Sequence, residues 1–294
     1  MKMVKCGSPI LLLMAAAACT GFGQSSTSTE KLSRPKFKKG DVVFAKSVIS
    51  MSEAKLTAPE IPKDSDIRLT FRMRIINSTE ILATDENGAV SETEEDTQAA
   101  IIQTEVTGKR EGKDFSESTM NSLPMDEVIA RYSQKKGVWV GRLRDGETTP
   151  EAQNALDGYV SPDEDTIIPD NPVGIGDEWT IKGAKLRRFA PDAIKLEGAA
   201  DCSFEKIIKL NDRPHALIKL TCQLEYTRLD ENQAEQKFRL VNNGYAWIDM
   251  KTGIETEVSV KGSIIMEGDT GPIKNAKITG VAVVTGSKVL LRKQ

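Results

Sequence analysis

Cys202 and Cys222 are the residues of this chain whose type and placement come nearest to chemistry. On the arm holding the first, Leu196, Gly198, Ala200, Cys202, Phe204, Ile208 and Leu210 share one parity, with Lys195, Glu197, Asp201, Ser203, Glu205 and Lys209 on the other. On the second arm Ala216, Ile218, Leu220, Cys222, Leu224 and Tyr226 alternate with Lys219, Thr221, Gln223 and Glu225. A period of two marks half-buried strands, and Asn211-Asp212-Arg213-Pro214 supplies the turn between them. Pairing centred on Asp212 sets Cys202 opposite Cys222, where a cross-strand disulfide forms. A redox couple is the alternative use of the pair, but facing strand positions point to a structural staple.

Little else in the sequence has catalytic spacing. His215, the single histidine, lies beside the hairpin turn and reads as a solvated residue; a nucleophile-histidine pair would have to be built there. H-E-x-x-H, G-x-S-x-G and G-x-x-x-x-G-K-[ST] are absent from the sequence, so no catalytic residue, metal or cofactor is assigned. With 43 Asp and Glu, a carboxylate pair for glycoside hydrolysis stays open without being located. The stretch from Asp85 to Thr97, with Glu92, Glu94, Glu95 and Asp96, lacks calcium-loop spacing and reads as a solvated loop. A net charge of −3 offers nucleic acid no footprint. Lys36, Lys38 and Lys39, and the stripe Arg68, Arg72 and Arg74, read as solvated faces, a phosphate or lipid head group being the alternative.

The amino terminus has the layout of an export signal. Lys2 and Lys5 precede an apolar run from Ile10 to Ala18, too short to span a bilayer. Its end, Ala16-Ala17-Ala18-Cys19, resembles the lipobox of bacterial lipoproteins, with Ala16 where leucine is usual. That resemblance implies a lipid on Cys19 and a membrane partner; simple cleavage and secretion is the alternative. The polar Gln24–Thr29 then serves as a flexible tether. Cys6 leaves with the leader and Cys19 is acylated or removed, so a bonded Cys202–Cys222 pair fits an oxidising compartment.

The expected fold is mostly β (α+β), with long curved antiparallel meander sheets and two amphipathic helices packed on the apolar face. Strands are read at Phe37 to Ile49, Ile67 to Ile75, Ile81 and Leu82, and Val138 to Val140. Met125, Val128, Ile129 and Tyr132 fall at helical spacing, with Ser122 as N-cap; Ala152, Ala155, Leu156 and Tyr159 repeat it after Thr149-Pro150. Residues 1–18 are assigned to the signal peptide, 19–36 to the tether, 37–162 to a first half, 163–172 to a linker and 173–294 to a second half. Gly40-Asp41 and Gly176-Asp177 hint that the halves are related.

Pro172-Val173-Gly174-Ile175-Gly176-Asp177-Glu178-Trp179, followed by a meander with Gly244, Asp249 and Gly253 in a G-x-x-x-x-D-x-x-x-G hairpin, resembles uncharacterised bacterial exported proteins and lipoproteins. That group has no catalytic pattern to transfer. The architecture also resembles the open barrel of lipoprotein-localisation factors. The leading expectation is a non-catalytic cell-envelope protein, periplasmic or membrane-anchored, acting through surface contacts with another envelope component. Small residues such as Ala200, Gly262, Gly280 and Ala282 favour it by admitting helices close to the sheet. The alternatives are a carrier of a lipid or other hydrophobic ligand, in an apolar cavity lined by Met125, Val128, Ile129, Tyr132, Leu156 and Tyr159, and a secreted carboxylate hydrolase.

Overall fold

The computed structural model describes residues 31–292 apart from 63–64, 111–112, 123–127, 136–137, 145–155, 157–158, 191–192, 230–233 and 271–272. Its strands are β1 (Val42–Thr57), β2 (Ile67–Thr84), β3 (Val90–Arg110), β4 (Lys113–Ser122), β5 (Val128–Lys135), β6 (Val138–Leu143), β7 (Glu178–Ile181), β8 (Lys195–Leu210), β9 (Arg213–Leu229), β10 (Glu235–Asp249), β11 (Glu255–Thr270) and β12 (Ile273–Leu291). They form one open, curved sheet in the order β6-β5-β3-β2-β1-β12-β11-β10-β9-β8-β7, with β4 also on β3. Every pairing is antiparallel. The edge of β3 away from β2 is shared: its Glu92–Thr97 stretch pairs with β5 and its Ile101–Arg110 stretch with β4. The first strand pairs with the last, from Val42 opposite Leu291 to Thr57 opposite Lys277, and this seam fuses the two meanders.

Each meander is entered by the same turn. In Lys38–Asp41 and Gly174–Asp177 the third residue is glycine, at φ 86° and 88°. The Asp41 N–H donates to the Lys38 carbonyl at 3.0 Å, and that of Asp177 to Gly174 at 3.1 Å. Glycine at the third position and this bond define a type II turn. The aspartate carboxylate then accepts the N–H of the first residue, at 2.9 Å from Lys38 and 2.8 Å from Gly174. Gly40 and Asp41 bond both backbone groups of Ile81 on β2, as Gly176 and Asp177 bond those of Phe204 on β8.

Long strands bend where side chains are missing. A methyl group at Gly262 would stand 1.9 Å from the Val241 carbonyl oxygen, and one at Gly280 would stand 2.6 Å from the Ala54 Cβ. The expectation that these small residues admit helices is corrected: they bring the sheet's own strands together.

The first expected helix is a strand. Ala130 and Tyr132 of β5 turn inward and are buried, while Arg131 turns outward to pair with Glu94 at 2.7 Å. Val128, Ile129 and Tyr132 are β-branched or aromatic, and the open edge of β3 offers the backbone partners that favour pairing over a helix. Of the second expected helix Leu156 and Tyr159 are described; Leu156 is helical and Tyr159 is not. A 3₁₀ segment, Gly183–Phe189, packs on β8 through the buried Leu186. Asp85 to Thr97 is not a loop: a tight turn at Asp85–Ala89 hands over to β3 at Val90.

The cross-strand disulfide is corrected too. Asn211 and Asp212 have φ of 48° and 61°, the two positive values of a two-residue type I′ hairpin turn. The shorter turn, with a bulge between Phe204 and Lys206, sets Cys202 opposite Leu220 and Cys222 opposite Ala200. The cysteines are therefore diagonal neighbours, roughly 7–8 Å apart on such a ladder, and both are free. They sit in the main core with Phe204, Ile218, Leu224 and Ile248, where burial pushes both thiols up to about 12. We expect native protein to resist alkylation at both positions, and denatured, unreduced protein to take one label on each. A mass short of two hydrogens and no label there would contradict this register.

Candidate functional site

One face of the sheet, called inner here, carries the even-numbered residues of β9 and β10 and the buried core. Across one end of this face runs a strap from Tyr159 to Val173. Tyr159 stacks on Tyr132 with ring centroids 3.7 Å apart, and its hydroxyl shares a 2.6 Å hydrogen bond with Thr93. The Asp163 carboxylate accepts the Val90 N–H at 3.1 Å. Further on, Ile167 and Ile168 are buried and the Ile167 carbonyl accepts the Trp179 indole N–H at 2.7 Å. Val173 closes the strap by a two-bond bridge to Leu32.

Where the strap passes over β12 and β11, four charges meet. Lys288 donates to the Asp165 carboxylate and, at 3.1 Å, to its carbonyl. Arg188, from the 3₁₀ segment, donates to both oxygens of Glu255 at 3.1 Å and lies 3.6 Å from Asp165. The Arg188 and Glu255 side chains are only 7% and 6% exposed, which makes this a desolvated pair rather than a surface one. Burial pushes the Asp165 carboxyl up, but Lys288 and Arg188 outweigh it and hold the group below its ordinary value.

Beside these charges is a pocket of about 110 Å³ lined by Val43, Ala45, Asn77, Thr79, Glu95, Thr166, Glu255 and Lys288, among others. Glu95 faces it without a cationic partner among the described residues. Burial raises its carboxyl above the ordinary 4.5, hydrogen bonds from Asn77 and Thr79 oppose the rise, and Asp165 adds to it. A larger depression of about 440 Å³ at the far end of β8–β12 is shallow and lined by charges such as Glu225, Arg239, Glu267 and Lys277. These are cross-strand pairs, Arg239–Glu225 at 3.5 Å and Lys277–Glu267 at 2.7 Å, and read as a solvated ladder.

Next to the small pocket the inner face turns apolar and has no described element across it. The register aligns Val284, Ile49, Met73 and Ile102 across β12, β1, β2 and β3. The same register places Ile75 on one side of this row and Met51 and Phe71, then Leu69 and Val106, on the other. These residues are only half-buried, and no described helix or strand lies over them. The opposite face of β2 presents Arg68, Arg72 and Arg74 to solvent, so the apolar side is a one-sided choice. From Ile75 to Leu69 the trough is about 20 Å long at 3.4 Å per residue, and four strands make it about 14 Å wide.

Of the residues expected to line a cavity, Tyr132, Leu156 and Tyr159 meet in a small packed cluster with Ala130, Trp139 and Leu143. Ile129 lies on the opposite face of β5, and Met125 and the Val128 side chain fall outside the described residues. Cys19 falls outside them as well. His215 is buried rather than solvated, its Nδ1 3.0 Å from the Arg213 carbonyl. Sequence reading missed the trough although its residues were visible: Leu69, Phe71, Met73 and Ile75 alternate with Thr70, Arg72 and Arg74, but alternation does not tell a covered face from a bare one. Among the described residues no helix is long and apolar enough to cross a membrane.

No protein-family model and no curated protein matches the chain. Among solved structures, one titled for lipid–protein interactions in lipovitellin is 9% identical with a TM-score of 0.43; the match covers 88% of this chain and 26% of that one. This chain thus spans about a quarter of the lipovitellin chain. An outer membrane channel from Pseudomonas putida F1 is 10% identical with a TM-score of 0.24, over 88% of this chain and 98% of the channel. Likenesses this slight do not bear on function.

Two substitutions test the polar end of the face. Because the folded state raises the Glu95 carboxyl, it resists ionisation and loses stability relative to the unfolded chain as pH climbs above 4.5. Glu95→Gln removes that loss, so urea denaturation should find the variant more stable than the parent at neutral pH and equal to it below about pH 4. Equal stabilities at both would refute a buried carboxyl. Arg188→Met strands Glu255, and the same measurement should show a loss of about 3–5 kcal/mol; a neutral effect would mean that the pair is solvated.

Proposed function

We propose that this chain is a non-catalytic protein of the cell envelope that holds a lipid or another long hydrophobic ligand against the bare inner face of its sheet. The observation that carries this reading is the trough of Ile49, Met51, Phe71, Met73, Ile75, Ile102 and Val284, apolar but for Ser47 and Thr104 at its margins and covered by no described element. A contiguous apolar patch on a folded protein marks an interaction site. Covering a Leu- or Phe-sized side chain gains roughly 1.5–3 kcal/mol, so an occupant lying over several of these residues binds without needing a deep cavity. The length of about 20 Å compares with half the roughly 30 Å hydrocarbon thickness of a bilayer, the span of one acyl chain. A polar end group would reach the pocket at Asn77, Thr79, Glu95 and Lys288, since Asn77 follows Ile75 on the same face of β2. The envelope location rests on the leader and on Cys19.

We prefer it to the dry-core account in which only the outer surface acts, because β5 stands where one of the helices of that account was expected. Protein purified from its own envelope, examined by native mass spectrometry and then extracted with organic solvent, should release a lipid at near one-to-one ratio. Met73→Asp combined with Ile102→Asp should weaken binding of a fluorescent fatty-acyl probe by roughly tenfold or more, about 1.4 kcal/mol, while circular dichroism stays strand-rich. Bare native protein that also ignores the probe would sink the reading.

A further inference from the structure

The outer face of the β1–β12 seam ends in an apolar corner. Phe44 stands directly opposite Val289, and Val42 opposite Leu291, so four apolar side chains share one patch. Phe44, Val289 and Leu291 are 36%, 55% and 51% exposed. Pairing of β11 with β12 stops at Glu257 opposite Ser287, so no strand flanks Val289 and Leu291 on that side. Cations lie close to the corner along the chain. Lys46 follows Phe44 on the same face, Lys36, Lys38 and Lys39 stand exposed on the segment entering β1, and Arg292 follows Leu291. The Arg292 guanidinium donates to the Lys36 carbonyl at 3.5 Å, which ties the two sides of the rim together. None of these four lysines is ion-paired with a described residue. Acids share the outer face nearby: Glu80 opposite Val42, Glu257 opposite Ser287 and, one strand further on β3, Asp96 opposite Ser78 and Glu94 opposite Glu80, the last paired with Arg131. Cations remain in excess at the corner of a chain whose net charge is −3.

We propose that this corner docks the folded body onto an anionic lipid bilayer, with Phe44, Val42, Val289 and Leu291 entering the head-group layer and the basic rim meeting lipid phosphates. Charge complementarity supports a bilayer over a neutral apolar partner, because basic residues beside a membrane are drawn to its negative surface potential. Apolar side chains ringed by Lys and Arg are the composition of an interfacial contact. Chain order supports it as well: the segment from residue 19 onward reaches β1 through Lys36, Lys38 and Lys39. A lipid on Cys19 would sit about twelve residues before Lys31, a reach of at most about 40 Å. A lipid there would keep the body near the surface, and the corner would set its orientation. The docking requires no occupant in the trough, which lies on the other face of the same strands.

The test is co-sedimentation with vesicles of the chain from residue 19 onward carrying Cys19→Ser, so that neither leader nor acyl chain contributes. Vesicles containing phosphatidylglycerol should bind it at low salt, and binding should fall about tenfold or more in high salt or with pure phosphatidylcholine. Phe44→Ser combined with Val289→Ser, and separately Lys38→Glu combined with Lys39→Glu, should each lose roughly tenfold while melting like the parent. Met73→Asp in the trough should leave vesicle binding intact, which separates this surface from the ligand face. Undiminished binding by the Phe44 and Val289 variant, indifference to lipid charge, or a dimer that forms through Phe44 without vesicles would each overturn the proposal.

Discussion

The pairing of β1 with β12 is the constraint on which the rest of the structure depends. Without it the chain is two separate meanders; with it, all strands lie in one sheet and the apolar residues of both halves share one face. Such pairing closes a loop of nearly the whole chain, and loop entropy must be offset before those contacts form. The twin type II turns lower the difficulty locally. Each fixes the entry of a meander by tying Gly-Asp to the strand beside it, Ile81 in one half and Phe204 in the other, before any long-range contact is needed.

The seam also explains why the inner face is only partly covered. The strap and the 3₁₀ segment lie over the carboxy-terminal strands and one end of the seam, held there by Asp165–Lys288 and Arg188–Glu255. Replacing such desolvated pairs by apolar residues is often neutral or stabilising, so their use here is better understood as placement. An apolar strap would be free to slide onto the trough; one whose aspartate must meet Lys288 and Arg188 stays at the end of it. The same charges give the pocket its polar wall, so the line between polar end and apolar floor is drawn by one cluster.

Strand alternation, the Gly253 hairpin and the kinship of the two Gly-Asp turns were legible in the sequence, because each depends on a few neighbouring residues. Gly253 has φ 71°, and the Asp249 carboxylate accepts the N–H groups of Lys251 and Thr252 just ahead of it. Val128, Ile129 and Tyr132 were not legible. Over so short a segment a helical and a strand pattern are both satisfied, and the free edge of β3, distant in sequence, decides. The register of Cys202 turned on whether Asn211 and Asp212 alone, or four residues, make the turn, and one bulge moved it further. Arg188 and Glu255, 67 residues apart, carry no local pattern at all. The bare face escaped for a different reason: an apolar row reads the same whether protein, ligand or nothing lies over it.

The strand lengths at the ends of the sheet have a consequence of their own. An open sheet this broad has two outermost ladders of unpaired amides and carbonyls, and a long flat ladder is a template on which another chain polymerises. Here the strands at the two ends of the order are β6, of six residues, and β7, of four, while those between them, β5 apart, run from 15 to 21. β4, of ten residues, is a third edge, paired to part of β3, and is studded with Lys113, Asp114 and Glu117. A second molecule arriving edge-on meets strands that are either short or charged, so the protein can leave a broad apolar face uncovered without its borders seeding a fibril.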